Sequence, residues 1–280
     1  MNLILQGLDT ERSVIDRIAA LAHARRITQI RPHAYRCEEA EHSDAVKAQV
    51  DAECFTAGLD YAFAVPGRAL ADFKLVAMDM DSTLITIECI DEIADMQGLK
   101  PQVAEITEAA MRGELDFSES LMRRVSLLKG LDASALQRVY DERLRLSPGA
   151  EPMLTAMRAA GLKTLLVSGG FTFFTERLQA RLGLDHAHAN TLEIADGKLT
   201  GRVLNRIVDA EEKKNTVERT CAGLGIAPEQ AIVMGDGAND LKMMGIAGLS
   251  VAFRAKPVVR AQADVALNFV GLDGILSLFE

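Results

Sequence analysis

The chain has 280 residues and is 49% apolar, enough for a large buried core and unlike a disordered chain. Its 31 basic and 40 acidic side chains leave a net charge of −9, which argues against nucleic acid or an anionic membrane as partner but not against a small anionic ligand in a locally positive site. No apolar run has transmembrane length, Met1 to Thr10 lacks the basic start of a signal peptide, and four scattered cysteines (Cys37, Cys54, Cys89, Cys221) with no Cys-x-x-Cys read as reduced thiols of a cytoplasmic protein.

Residues 1–68 read as a small α+β domain. A strand is expected at Asn2–Gln6 and an amphipathic helix at Glu11–Ala24, with Val14, Ile15, Ile18, Ala19 and Leu21 near one face. Ile27–Tyr35 alternates loosely as one strand, its Pro32 pointing to a sheet edge. A helix over Ser43–Leu59 and a strand at Tyr61–Val65 complete a β-α-β-α-β order. That order loosely resembles the amino-acid-sensing module called ACT, although no motif marks one. Binding a regulator such as serine, forming a homodimer and covering an edge of the core are all open to it. Pro66, Gly67 and Arg68 mark a boundary.

Residues 69–280 change pattern. Apolar strands are expected at Leu75–Met78, Thr164–Val167, Ala231–Met234, Leu249–Ala252 and Val265–Asn268, with helices between most of them. Such alternation implies a parallel sheet covered on both faces, a Rossmann-like three-layer α/β core. A helical insert at about 88–146 interrupts it, with helices expected near Ile90–Met96, Val103–Arg112, Phe117–Lys129 and Ala133–Leu144. Asp196 and Gly197 read as a tight hairpin turn. His186 and His188 fit a strand face better than a zinc site.

Ligands of open α/β sheets bind beyond the carboxyl ends of the strands, so the residues there carry the chemistry. Asp79 and Asp81 follow the first core strand, and their i, i+2 spacing points both carboxylates the same way. Two such acids in one place need a counter-charge, most simply a divalent cation. Ser168, Gly169 and Gly170 follow the second strand and are expected to open a helix whose free N–H groups suit an anion. Lys213 can neutralise a phosphoryl group, and Asp236 can add a carboxylate for Mg2+, a hard cation that prefers oxygen. Asn239 and Asp240 close the cluster. Each signal alone also fits an ordinary turn or a solvated face; their order and placement together are specific.

The motifs resemble the haloacid dehalogenase (HAD) superfamily: Asp79-Met80-Asp81-Ser82-Thr83, Ser168-Gly169-Gly170-Phe171, Lys213, and Gly235-Asp236-Gly237-Ala238-Asn239-Asp240. Glu88 and the run Arg124-Val125-Ser126-Leu127-Leu128-Lys129 bring the likeness to the phosphoserine phosphatase family within it. The resemblance implies a HAD fold with a helical cap. It implies Asp79 as nucleophile, Asp81 as general acid and base, and Mg2+ on Asp79, Asp236 and the main-chain oxygen of Asp81. It further implies phosphoryl contacts from Ser168, Gly169, Lys213 and Asn239. Arg124 would grip the carboxylate and Glu88 the ammonium of phosphoserine, beside an apolar wall of Phe117 and Met111. The expected reaction is hydrolysis of O-phospho-L-serine, the last step of serine biosynthesis. The alternative is the same chemistry on another small phosphate ester or with another acceptor such as homoserine.

Overall fold

The structure, a computed structural model, describes the backbone of residues 1–280 and every side chain except that of Met111, so the expected apolar wall at Met111 lies outside the described residues. The chain begins with β1 (Asn2–Gly7), α1 (Arg12–Leu21), β2 (Arg26–Arg31), β3 (Ala34–Glu38), α2 (Asp44–Ala57) and β4 (Leu59–Ala64). The four strands form an antiparallel sheet in the order β2-β3-β1-β4. The single strand expected over Ile27–Tyr35 is therefore a hairpin. Pro32 and His33 sit at its turn, where His33 takes the left-handed φ of 57°. The resulting β-α-β-β-α-β order is the split βαβ arrangement. Ser43 caps α2 by accepting from the Val46 amide, and Gly58 ends it at φ 68°. Strand alternation separates two contacts: Leu3 and Leu5 pack with Ile15, Ile18, Val46 and Val50, while Ile4 joins the larger core.

The larger sheet contains β5 (Leu75–Met78), β6 (Lys163–Phe171), β7 (His186–Ala195), β8 (Lys198–Leu204), β9 (Ala231–Gly235), β10 (Leu249–Phe253) and β11 (Val265–Leu267). Its order is β11-β10-β9-β5-β6-β7-β8, parallel except for β8 against β7. On the β5 strand Leu75 and Ala77 face a cluster with Val217 and Cys221, and Val76 and Met78 face the opposite cluster, so both sheet faces are covered. Strand order runs outward in opposite directions from β5 and β9, which makes their carboxyl ends the topological switch point.

Between β5 and β6 lie α3 (Cys89–Asp95), α4 (Lys100–Met111), α5 (Phe117–Leu127), α6 (Ser134–Arg138) and α7 (Ala150–Ala159). The helix expected over Ala133–Leu144 stops at Arg138 and continues as a wider turn through Arg143. The remaining helices are α8 (Thr172–Leu182), α9 (Ala210–Leu224), α10 (Leu241–Met244) and α11 (Pro257–Arg260). Ser168, Gly169 and Gly170 do not open a helix as expected. They extend β6, and α8 starts only at Thr172. Glycine permits that extension because neighbouring groups crowd the strand there: a Cβ on Gly170 would lie 2.6 Å from Asp81 Oδ2. The hairpin turn at Asp196 and Gly197 forms as expected, both residues at positive φ. Among the described residues, no helix is long and apolar enough to cross a membrane, and all four cysteines are free and buried.

Candidate active site

The first acid is set by the middle of the sheet. The Asp79 amide continues the β5–β9 ladder by donating to the Met234 carbonyl at 3.0 Å. The chain then turns sharply through Ser82, at φ 55°. Asp81 stands just before this turn, and its Oδ1 accepts from the Cys89 amide at 3.0 Å. Thr83, within the turn, donates its hydroxyl to Asp236 Oδ1 at 3.2 Å, tying the β5 tip to the β9 tip.

Lys213 enters from the first turn of α9, whose N-cap Asp209 accepts from the Glu212 amide at 2.8 Å. It is fully buried. Its ammonium lies 2.7 Å from Asp79 Oδ1 and 2.7 Å from Asp240 Oδ1. Burial works against that charge, but Asp240 and Asp79 outweigh it and hold the ammonium pKa above its ordinary value. Asp240 is fully engaged, since its Oδ2 accepts from the amides of Asp236 and Gly237 at 3.2 and 3.0 Å. Asp79 Oδ1 also accepts from the Met80 amide at 2.7 Å, which leaves its Oδ2 free of protein partners.

Acids outnumber cations in this cluster. Carboxylate oxygens of Asp79, Asp236 and Asp240 lie within 4.8 Å of one another. Burial, and then the Asp240 charge, push Asp79 well above the usual carboxylate range and Asp236 up to about 7. Asp81 is pushed up to about 7 by burial and by Glu88. One ammonium cannot balance three carboxylates, and all the donors are hard oxygens, so the cluster suits a divalent cation.

The opposite side is built by β6. Ser168 is buried, and its hydroxyl accepts from the Gly170 amide at 2.8 Å. The Gly169 carbonyl accepts from Asn190 Nδ2 at 2.7 Å, and Asn190 Oδ1 accepts from the Val208 amide at 2.8 Å. Asn190 thus braces the Ser168–Gly170 stretch. Above it, Phe117 of α5 closes on Gly169, where a Cβ would lie 2.7 Å from the ring edge. Arg124 stands seven residues further along α5, two turns away on the same face. Glu88 is the N-cap residue of α3 and accepts the Ser82 hydroxyl at 2.7 Å. Solvent reaches Glu88 on one side; crowding on the others raises its pKa, with Arg124 and Lys256 acting the opposite way. Arg124 carries the charges of Asp91, Glu88 and Asp81 around it.

The structure therefore gathers Asp79, Asp81, Ser168, Lys213, Asp236 and Asp240 at one point, with Glu88 and Arg124 on the cap side. Asn239 lies half-buried on the same loop as Asp236 and makes no side-chain hydrogen bond among the described residues. Sequence reasoning named Thr83 within the Asp79–Thr83 motif but not its contact with Asp236, and it missed Asn190, a single strand residue that carried no signal.

A family profile described as haloacid dehalogenase-like hydrolase matches residues 76–245, and one for a domain of unknown function matches residues 3–50. A phosphoserine phosphatase of Polaromonas sp. is 58% identical over 226 residues, covering 79% of this chain and 96% of that protein. A HAD family hydrolase from Salmonella enterica subsp. enterica serovar Typhi has TM-score 0.90 at 34% identity, covering 100% of this chain and 98% of its own. A probable phosphoserine phosphatase from Vibrio cholerae has TM-score 0.84 at 36% identity, covering 99% and 85%. A hydrolase profile lying over the strands that carry the acids, and relatives this similar along nearly their whole length, lead to one assignment: the chain belongs to the phosphoserine phosphatase family of the haloacid dehalogenase superfamily.

Proposed function

We propose that the protein hydrolyses O-phospho-L-serine to L-serine and phosphate through an aspartyl-phosphate on Asp79, a reaction that ends serine biosynthesis. One observation carries the reading: a buried Asp79–Lys213–Asp240 chain at the switch point lies under a cap that offers an acid, Glu88, and a guanidinium, Arg124. Those two charges complement the ammonium and carboxylate of an amino-acid head group, which sugar phosphates lack.

Asp79 Oδ2, free of protein partners, attacks phosphorus as the bond to the serine oxygen breaks. Asp81, whose pKa burial and Glu88 raise to about 7, can hold the proton that it gives to the leaving oxygen. It then takes a proton from the water that cleaves the aspartyl-phosphate, returning both aspartates to their first state. Lys213, the Ser168 hydroxyl, the Gly169 amide and Asn239 hold the phosphoryl oxygens. Asp79, Asp236 and the Asp81 main-chain oxygen would hold Mg2+, which would supply the positive charge that an anionic carboxylate needs to meet an anionic phosphate. In this reading residues 1–68 are a small domain packed beside the catalytic 69–280, whose cap is at about 88–146. The free, buried thiols suit a reduced, cytoplasmic setting.

Phosphate release from O-phospho-L-serine, sugar phosphates and p-nitrophenyl phosphate, with and without Mg2+, tests the reading. Phosphoserine is expected to lead the panel and to need the cation. Asp79→Asn should remove acid-stable labelling by phosphate and lower kcat by about 10⁴-fold or more. Normal turnover in that variant would withdraw the nucleophile.

A further inference from the structure

Asp91 lies in the first turn of α3 and is otherwise ordinary. Its Oδ1 is, among the described residues, the one buried side-chain oxygen or nitrogen without a hydrogen-bond partner. Buried acceptors are rarely left so, and an exception asks for a reason. The Asp91 amide donates to the Glu88 carbonyl at 3.1 Å, so the two acids stand about one turn apart on neighbouring parts of the helix. Glu88 already holds the Ser82 hydroxyl, at the end nearer Asp81.

Arg124 is the cation that bears on it most. Burial of the Asp91 carboxyl is opposed first by the Arg124 charge and then by Lys100. In return, Asp91 is first among the carboxylates that offset the burial of Arg124, ahead of Glu88 and Asp81. Yet the two make no ion-pair contact. The hydrogen bond Arg124 does make runs from Nε to the Ser120 carbonyl at 3.4 Å, which leaves its terminal nitrogens without partners among the described residues. Helices α3 and α5 pack against each other, so a guanidinium with free donors and a carboxylate oxygen with a free lone pair lie on adjoining elements, within each other's field but unjoined.

We propose that Asp91 is a positioning residue for Arg124: Asp91 Oδ1 takes a terminal N–H of the guanidinium and fixes the plane of the fork that grips the carboxylate of the incoming phosphate ester. The chemistry fits because a guanidinium presents five donors in one plane. Two serve a substrate carboxylate and others remain for an acceptor at its edge. This inference rests on the reading that Arg124 binds the substrate carboxylate.

The test is steady-state kinetics of wild type, Asp91→Asn, Arg124→Ala and the double variant. The substrates are O-phospho-L-serine, phosphoglycolate (carboxylate, no ammonium), phosphoethanolamine (ammonium, no carboxylate) and p-nitrophenyl phosphate. Asp91→Asn should raise KM about tenfold for the two carboxylate-bearing esters, leave kcat within about threefold and spare the other two. On the Arg124→Ala background it should add less than about twofold, since the residue it positions is gone. Loss confined to the ammonium-bearing esters would give Asp91 a different task and overturn the proposal. Equal loss on all four substrates, or full additivity with Arg124→Ala, would make Asp91 structural and also overturn it. Should wild type ignore phosphoserine, the substrate reading falls by itself. The coupling is then read on whichever carboxylate-bearing ester turns over, and its absence there defeats the positioning role.

Discussion

Lys213 shows how a single side chain can hold a site together. It is fully buried, and its ammonium sits 2.7 Å from each of two carboxylates. A buried ion pair does not in general stabilise a fold beyond an apolar substitute, but breaking one strands a charge. Here two acids would be stranded, with Asp236 nearby. Lys213→Met is therefore expected to lower unfolding free energy by about 3–5 kcal/mol in urea titrations at neutral pH. Added Mg2+ should return part of that loss, because a divalent cation answers the same excess of negative charge. The variant should also lose phosphatase activity, and the two losses are separable. Unchanged stability would show that the two ion pairs of Lys213 do not hold the fold together.

Elements carry the site through their ends, and the ends differ in how legible they are in the sequence. Leu75–Met78 and Ala231–Gly235 could be read because each is a short apolar run that stops at an acid, and burial on both faces leaves no other pattern for it. The hairpin at Pro32–His33 could not, because alternation runs on through the turn and a non-glycine residue takes the left-handed position. The Ser168–Gly170 stretch misled for a related reason. Glycines suggest a helix start, but here they let β6 continue past Phe117 and Asp81. The docking of the cap was invisible, since it uses main-chain groups. Gly130 and Leu131, just after α5, exchange hydrogen bonds with Leu199 of β8 at 2.8 Å each. Beside them Gly201, at φ 82°, leaves room for α5; a Cβ would lie 2.9 Å from Lys129 Cβ. Gly201→Ala should cost about 1–2 kcal/mol for the left-handed backbone and push α5 away. The expected kinetic mark is a raised KM for phosphoserine, through Arg124, with little change for an aryl phosphate. Asp185 secures the other end of β6. It accepts from Lys163 Nζ at 2.6 Å, the Thr164 amide at 2.9 Å and the Thr164 hydroxyl at 3.0 Å. Burial opposes its charge, but Lys163 and Thr164 prevail and hold its pKa below the usual carboxylate range. A lowered folded pKa gives stability that is present above the unfolded value, about 3.9, and is lost as pH falls through the folded one. Asp185→Ala should thus cost about 1–3 kcal/mol at pH 7, and denaturation at pH 3 and below should show the gap closing.

At the scale of the whole molecule, the question is how the N-terminal sheet is joined to the sheet that bears the acids. Asp60 of β4 answers it most directly. It is buried, and its two oxygens accept from three successive amides, Asn268 at 2.7 Å and Phe269 and Val270 at 2.9 Å, just beyond β11. Arg36 of β3 adds a hydrogen bond to the Phe279 carbonyl at 2.9 Å and an ion pair with Glu280 at 3.4 Å. Ile4 and Ala62 complete the joint by packing into the same apolar cluster as Leu272 and Ile275. The contact is thus apolar in area and polar in register, with one carboxylate setting the position of the β11 exit. None of these residues touches the Asp79–Lys213–Asp240 chain. Stability and catalysis should therefore separate at this joint. Asp60→Ala leaves three amides without their acceptor and is expected to lower unfolding free energy by about 2–4 kcal/mol. Below the unfolding transition its kcat and KM on phosphoserine should match the wild type within about twofold, since no catalytic group moves. Paired urea titrations and initial-rate assays decide the matter. A variant as stable as wild type would show that the apolar contact alone fixes the two sheets. One equally stable but slower would mean that the N-terminal sheet communicates with the site.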